Sequence, residues 1–524
     1  MFNLIHLGKD FKMNTFLNEM KKECNFTETE NGAVALKSTL NPVLDAFGTL
    51  GAMKLSDEED IIRTFSKAYS ADKALAMKLL FYVRDVRGGQ GMRRVFRIII
   101  KYLAQYEPNV VIKNLDNILF FGRGDDYLCL LDTNIKKDVI AYIKDVLVED
   151  CASLADGGGV SLLAKWLPSE NASSAETKKY ANIIMKGLQM TPRQYRKLLT
   201  TLRKEIGIVE CYMSSNQWNK IKFDKLPAKA AMIYSDAFEK HCMNVYHDYL
   251  KQLAEGNAKV NAGSLFPVDI VHKACSNLYD PKLKDRYLLE GMWKALPNYF
   301  EGLDETGICV VDTSGSMYGT PIEVAISLGL YCADKCSGPF KNHFFTFSNK
   351  PELQEIVGND IVEKIFNLSN ADWGMNTNLE AVFDKILNVA IENHLEQSEI
   401  PSKLYIISDM QFDAANGDST GYRRKTTFMD LMAEKFKNAG YDMPAIVYWN
   451  VRASDCGMFQ ATVESQNVCM VSGYSPSLFK AVIDGTEYVE ETTSTGQVVN
   501  KQRIDPINVM LTTLNNERYD RVKC

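Results

Sequence analysis

Two features that the sequence lacks argue against a membrane protein and a zinc protein. No apolar run approaches the ~20 residues that a transmembrane helix needs, so we expect no membrane association. None of the twelve cysteines forms a C-x-x-C pair, and a zinc site at the closest pair, Cys332 and Cys336, would still lack two ligands. We therefore predict reduced cysteines in a cytoplasmic protein.

The motifs of several enzyme classes are also missing. The sequence contains no G-x-x-x-x-G-K-[ST] phosphate loop and no G-x-S-x-G nucleophile elbow. Haloacid-dehalogenase phosphatases have D-x-D-x-[TV] after their first strand, but Ser314 stands where the second acidic residue should be. The six histidines lie outside any catalytic motif. We therefore predict a non-enzymatic protein.

Charge is divided unevenly along the chain. Residues 1–300 contain 42 Lys and Arg against 35 Asp and Glu, a balance of +7. The other 224 residues carry a balance of −13, which gives the net charge of −6. A chain of 524 residues is too long for one hydrophobic core, and this asymmetry indicates that its parts meet different partners.

Residues 1–300 have the apolar periodicity of helices. Leu75, Leu79 and Val83 lie on one helical face, and Val95, Ile99 and their neighbours repeat the pattern. Glycine-rich breaks separate such segments. The spacing predicts an α-helical repeat region, HEAT-like or α-solenoid, with helices near 59–70, 75–86, 95–103, 134–149, 174–189, 192–205, 229–254 and 282–295.

The pattern of apolar residues changes near residue 301. Short apolar runs alternate with helical segments up to residue 485, which predicts a doubly wound α/β domain with a parallel sheet. The apolar runs are 308–311, 344–347, 404–407, 445–448 and 468–471, and the helices lie near 321–336, 378–393, 424–439 and 476–483. Residues 486–524 form a tail with one short helix, which Asp505 and Pro506 open and which runs through Leu514.

Oxygen-bearing side chains follow the apolar runs of the α/β region. Asp312, Ser314 and Ser316 end the first run in ICVVDTSGSM, Thr377 precedes a helix, and Asp409 follows a later run. Ligands of such sheets bind beyond the carboxyl ends of the strands. Because hard cations prefer oxygen ligands, we predict a Mg²⁺ site here, with Mn²⁺ or Ca²⁺ as alternatives.

Simpler interpretations of these residues stay open. DTSGSM also fits a turn with capping serines, and Asp413 fits a loop cap better than a metal ligand. A degenerate site without metal is a further alternative.

Basic side chains form clusters in the helical region. Guanidinium rows beside glycine-rich turns suit phosphate contact, and Tyr195 or Trp218 suits stacking on unpaired bases. Solvated helix faces are the alternative interpretation. The candidate RNA-binding residues are Arg84, Arg87, Arg93, Arg94, Arg97, Lys101, Arg193, Arg196 and Lys197.

The set D-x-S-x-S, a later threonine and a strand-terminal aspartate resembles the metal-ion-dependent adhesion site of von Willebrand factor A domains, over residues 301–485. The resemblance implies that Ser314, Ser316 and Thr377 contact Mg²⁺, while Asp312 and Asp409 act largely through water. It also implies an open position, which the Asp or Glu carboxylate of a protein partner fills.

The whole arrangement resembles the Ro ribonucleoprotein (TROVE) family, because a helical region with the motif R-D-x-R-G-G-x-G-x-R-R precedes the A domain. It is more similar to a related family of plant and large-virus proteins, in TENGAVAL (29–36), AKWLPS (164–169), YRKLLTTLR (195–203) and SDMQFD (408–413). The resemblance implies a ring of helical repeats closed by the A domain, which binds small structured RNAs and RNA ends.

Two functions remain in competition. The first is a non-enzymatic, Ro-like RNA-binding scaffold with a Mg²⁺-dependent ligand site, whose RNA is small and structured or single-stranded. The second is a metal-dependent protein-interaction adaptor that binds no RNA.

Overall fold

A helical region is followed by an α/β domain and a tail that returns to the helical region. The computed structural model describes residues 15–276, 283–303, 306–346, 351–369, 378–413, 428–453, 458–492 and 498–524. In these ranges, no helix combines the length and the apolar character needed to span a bilayer.

Helices form nearly all of the regular structure up to β3. The only strands described there are the hairpin β1 (Phe26–Glu28) and β2 (Val34–Leu36). The helices are α1 (Thr15–Glu23), α2 (Pro42–Phe47), α3 (Glu58–Ala71), α4 (Lys73–Arg84), α5 (Arg93–Tyr106), α6 (Pro108–Lys113), α7 (Leu115–Phe121), α8 (Lys136–Ala155), α9 (Leu163–Trp166), α10 (Ala175–Gly187), α11 (Pro192–Ile206), α12 (Val209–Ser214), α13 (Ala228–Ala254), α14 (Pro267–Cys275) and α15 (Leu283–Lys294).

All eight helices predicted from apolar spacing are present. The sequence analysis underestimated α8 by six residues at its end, and it missed the short helices α1, α2, α6, α7, α9, α12 and α14. Such short helices show too few turns for a clear periodic pattern, and packing rather than intrinsic propensity stabilises them.

The α/β domain is built on a six-stranded sheet. Its order is β5-β4-β3-β6-β7-β8, and all neighbouring pairs are parallel except β4 and β5. The strands are β3 (Gly307–Val311), β4 (His343–Thr346), β5 (Glu352–Glu355), β6 (Lys403–Ser408), β7 (Ala445–Asn450) and β8 (Val468–Ser472). The helices are α16 (Thr320–Lys335), α17 (Ile361–Ser369), α18 (Leu379–Glu392), α19 (Phe428–Asn438) and α20 (Ser477–Asp484).

Burial explains which strands the sequence revealed. Every residue of β3, β6 and β8 is buried, so each strand is a continuous apolar run apart from a few polar positions. The edge strand β5 was missed because its four residues are largely exposed and only Leu353 is apolar.

The tail contains a hairpin as well as the predicted helix. Strands β9 (Thr486–Thr492) and β10 (Val498–Ile504) pair antiparallel before α21 (Pro506–Leu514). The predicted cap is confirmed, because the Asp505 carboxylate accepts a hydrogen bond from the Asn508 N–H. Beyond α21, Arg518 pairs with the buried carboxylate of Asp85 in the helical region.

Buried hydrogen bonds join the helical region to the edge of the sheet. The Ser472 hydroxyl, at the end of β8, donates to the Phe47 carbonyl and accepts from the Gly51 N–H. The Gln90 side chain donates to the Ser472 carbonyl at 2.7 Å. A Cβ added at Gly51 would lie 2.4 Å from that carbonyl oxygen, so only glycine permits this approach.

Candidate metal centre and basic groove

The candidate metal centre lies where the strand order of the sheet reverses. From β3 the chain adds β4 and β5 on one side, then returns to place β6 against the other side of β3. Asp312 follows β3 and Asp409 follows β6, so both carboxylates stand at the carboxyl ends of adjacent parallel strands. This switch point is the usual ligand site of open α/β sheets.

Asp312 is fully buried and held at both carboxylate oxygens. Its Oδ1 accepts the Ser314 N–H at 2.9 Å, and its Oδ2 accepts the Ser408 hydroxyl at 2.6 Å. Its own N–H donates to the Ile407 carbonyl and continues the strand pairing. These bonds fix the carboxylate at the start of the loop that carries Ser314 and Ser316, which we call the serine loop.

Ser408 was missed in the sequence, although a serine inside an apolar strand is a signal for such a role. Its hydroxyl also accepts the N–H of Met410, which has a φ of +67°. Few residues other than glycine adopt this left-handed conformation, and such strain clusters at functional sites. One hydroxyl therefore connects the two strand ends.

Two serine hydroxyls complete the described part of the centre. The Oγ atoms of Ser314 and Ser316 lie 3.1 Å apart. The Ser316 side chain also acts on the Asp409 carboxyl, whose pKa it lowers. Thr377, the fifth predicted ligand, lies outside the described residues. The structure thus brings together the other four predicted ligands.

Burial shifts the pKa of both carboxyls upward. It raises the pKa of Asp312 to about 6, against the hydrogen bonds from Ser408 and Ser314, and the nearby charge of Asp409 raises it further. Burial also raises the pKa of Asp409, against hydrogen bonds from Ser316 and the Gln411 backbone and the charge of Arg452. A buried carboxylate pair of this kind is stabilised by a counter-cation.

The donor chemistry fits a hard cation such as Mg²⁺. Two carboxylates and two hydroxyls offer only oxygen. Within the described ranges, no group of three or more His, Cys, Asp or Glu side chains is arranged to hold a metal ion. This centre is of a different kind, because hydroxyls make up half of its described donors.

Residues 29–36 hold the loop that follows Asp409. The Thr29 hydroxyl donates to the Phe412 carbonyl, and the Asn31 amide donates to the Gln411 carbonyl. A β-bridge joins Gly32 to Asp413, the residue expected to cap the loop. The segments TENGAVAL and SDMQFD, which carry the family resemblance, therefore contact each other beside the candidate metal centre.

The other two segments of that resemblance also contact each other. The Tyr195 hydroxyl, on α11, donates to the Pro168 carbonyl, and Tyr195 is fully buried. The Arg203 guanidinium donates to the carbonyls of Ala164 and Leu167 and to the Ser169 hydroxyl. Tyr195 is therefore a packing residue and does not present a face to a base.

The first basic cluster lines an open groove along α5. The groove has a volume of about 540 Å³, and Tyr102 and Ile98 also line it. Arg93, Arg94 and Lys101 are exposed, although Arg94 donates to the Ser56 carbonyl. Arg97 is half-buried in ion pairs with Asp125 and Asp126. Arg87, before the groove, is exposed.

Arg84 does not fit the predicted role in RNA binding. Its side chain is 2% exposed, and its guanidinium forms an ion pair with Asp126, which has no exposed surface. A helical wheel shows which face Arg84 occupies, but not that Asp126 covers it. Arg84 therefore stabilises the fold and is not available to a nucleic acid.

The second basic cluster lies on a different helix, α11. Arg193, Arg196 and Lys197 are exposed there, and Arg196 pairs with Glu170. Trp218, the other candidate for stacking on bases, is partly buried and already stacks on His241 at 4.3 Å.

Comparison with known proteins divides the chain near residue 300, where helical periodicity gives way to alternating strands and helices. Residues 29–147 and 160–300 match the family model "Domain of unknown function (DUF2828)", and residues 306–514 match "Domain of unknown function (DUF7788)". Over 505 residues the chain is 32% identical to uncharacterized protein L728 of Acanthamoeba polyphaga mimivirus, an alignment that covers 88% of this chain and 86% of that protein.

Proposed function

The chain belongs to the same family as mimivirus protein L728, with a DUF2828 region followed by a DUF7788 region, and from this premise we propose a non-enzymatic scaffold that binds a divalent cation. The cation would be Mg²⁺, and it would bind a carboxylate of a protein partner. The observation that carries this proposal is the buried Asp312 carboxylate beside Asp409 and two serine hydroxyls.

We further propose that the α/β domain is of the von Willebrand factor A type. Its strand order, with one antiparallel edge strand and a ligand-bearing loop after the first strand, supports this assignment. In the helical region, α3 packs against both α4 and α5, which supports a helical-repeat arrangement.

The contacts of Asp312 support different roles for the carboxylate and the hydroxyls of the centre. Because both of its oxygens accept hydrogen bonds from the protein, Asp312 is suited to orienting the serine loop. The hydroxyls of Ser314 and Ser316, and of Thr377, would hold Mg²⁺ directly. With few carboxylates bound to it, the ion would stay electrophilic toward an acidic partner.

Calorimetric titration of the full chain with Mg²⁺ tests this centre. We expect the double variant Ser314→Ala/Ser316→Ala to lose uptake, because it lacks two oxygen donors. Ser214→Ala makes the same change at an exposed serine and should bind like the wild type. Unaltered uptake by the double variant would remove the proposal.

RNA binding by the helical region is a second candidate, which the open basic groove on α5 favours. The groove exposes Arg93 and Lys101 beside the aromatic ring of Tyr102. Phosphate contacts of this kind give affinity that falls steeply with salt. The buried pairing of Arg84 and the ion pairs of Arg97 reduce the charge available for such contacts.

Filter binding with structured and single-stranded RNA at several salt concentrations tests the groove. Arg93→Ala/Lys101→Ala should weaken binding and flatten its salt dependence, whereas Lys144→Ala, on the exposed face of α8, should not. Absent or salt-insensitive binding by the wild type would leave the metal-dependent adaptor as the function.

A further inference from the structure

A fixed positive charge stands beside the candidate metal centre. Arg452 lies two residues beyond β7, and its backbone N–H is held by the Asn450 side chain at 2.9 Å. The Val451 N–H, in turn, donates to the Ser408 carbonyl. The backbone of Arg452 is therefore anchored to the same strand end that carries Asp409.

The Arg452 side chain reaches across the centre to the serine loop. Its Nη1 donates to the Ser316 carbonyl at 2.5 Å, and its charge acts on the Asp409 carboxyl. The residue is exposed, and within the described residues this is the only hydrogen bond that its side chain makes. An exposed guanidinium with five N–H donors therefore stands beside the Ser316 carbonyl, with more donors than this bond uses.

A guanidinium in this position has opposite effects on a cation and on an anion. It repels a divalent ion that binds at Asp409 and Ser316, so it weakens uptake of the bare ion. It attracts an incoming carboxylate, whose two oxygens match the planar N–H groups of arginine. A site evolved only for tight cation binding gains nothing from this residue.

We propose that Arg452 is a ligand-binding residue of this centre, and that the ligand is an acidic side chain held by the cation and the guanidinium together. This inference rests on the proposed cation site and deepens it. It adds a residue of this chain, Arg452, to the recognition of the acidic partner.

Calorimetry with Mg²⁺ alone gives the first measurement. In Arg452→Gln the repulsion is gone, so the dissociation constant for Mg²⁺ should fall roughly three- to tenfold at low ionic strength. The difference should shrink as salt is added. Arg63→Gln, an equal charge change at an exposed position on α3, should leave the constant unchanged.

Acetate, as the simplest carboxylate, gives the second measurement. We would titrate acetate into the Mn²⁺-loaded full chain and follow water-proton relaxation. Arg452→Gln should weaken acetate binding by roughly threefold or more, because one charge-assisted contact is lost. Arg452→Lys keeps the charge but not the planar fork, so its acetate affinity should lie between the two.

The opposite signs of these effects separate a binding role from damage to the fold. A distorted centre would lose affinity for both ions, whereas our inference requires tighter Mg²⁺ and weaker acetate in the same variant. If the wild type takes up Mg²⁺ and Arg452→Gln matches it in both titrations, this inference fails while the cation site stands. If the wild type takes up no Mg²⁺, the proposed function itself fails.

Discussion

Replacing Asp312 with asparagine should stabilise the protein when no cation is present. Asparagine has the same shape, and its carbonyl can still accept the Ser314 N–H. Its amide faces Ser408, whose hydroxyl can accept a hydrogen bond as well as donate one. The variant therefore removes the buried charge and keeps the packing.

The magnitude follows from the pKa of Asp312. Burial raises that pKa from 3.8 to about 6, and each pKa unit corresponds to about 1.36 kcal/mol. The ionised form thus costs the cation-free fold about 3 kcal/mol at neutral pH. With an unfolding entropy of about 2.1 cal/mol/K per residue, this corresponds to a rise of ~3 °C in the melting temperature of the full chain.

The assay is thermal unfolding in EDTA at pH 7.5 and pH 5, and again with Mg²⁺ at pH 7.5. An acid with a raised folded-state pKa binds more protons in the folded than in the unfolded state between pH 3.8 and 6. Its contribution to stability is full below this window and is lost as pH rises through 6. The advantage of Asp312→Asn should therefore be largest at pH 7.5 and smaller at pH 5.

Addition of Mg²⁺ should reverse the order of the two proteins. Wild type should gain stability by binding the ion, and Asp312→Asn should gain little. Asp156→Asn makes the same change at an exposed carboxyl and should match the wild type throughout. Equal melting temperatures of wild type and Asp312→Asn in EDTA at pH 7.5 would refute the reasoning.

Three further predictions concern packing contacts elsewhere in the chain. Gly51→Ala should lower the melting temperature of the whole chain in calorimetry, because the added Cβ would lie 2.4 Å from the Ser472 carbonyl oxygen. If the helical region and the α/β domain melted separately, the contact between Gly51 and Ser472 would not couple them. Arg518→Met should lower the free energy of unfolding by about 3 kcal/mol in chemical denaturation, because it leaves the buried Asp85 carboxylate without the guanidinium that pairs with it. An unchanged denaturation midpoint would argue against this ion pair. Arg203→Ala should speed hydrogen exchange in the segment after α9, and unchanged exchange there would count against its three hydrogen bonds.

Local patterns in the sequence were sufficient for most elements of the fold. Apolar runs such as 404–407 predict parallel strands because strands covered on both faces need apolar side chains throughout. The four described residues of the candidate metal centre were also singled out from sequence, because each follows directly or closely upon such a run. Their position beyond the strand ends is a consequence of parallel topology.

Contacts between distant segments could not be predicted in the same way. Nothing near Arg84 in the sequence indicates that Asp126 will cover it, so its place in a basic row suggested exposure. Arg452 carries no local signal either, because the role proposed for it depends on the adjacency of β6 and β7. Ser408 is different: a serine in an apolar strand was visible, but only the fold shows that it reaches Asp312.

The candidate metal centre depends on both regions of the chain. Asp409 ends β6, but the loop that follows it is held by Thr29 and Asn31 through the carbonyls of Phe412 and Gln411. Hydrogen bonds from the buried Thr29 and the exposed Asn31 to two of its backbone carbonyls restrict where this loop can move. A ligand that draws Asp409 toward a cation must therefore act against the helical region as well as against the sheet. In this chain the position of Asp409 therefore depends on the helical region as well as on the α/β domain.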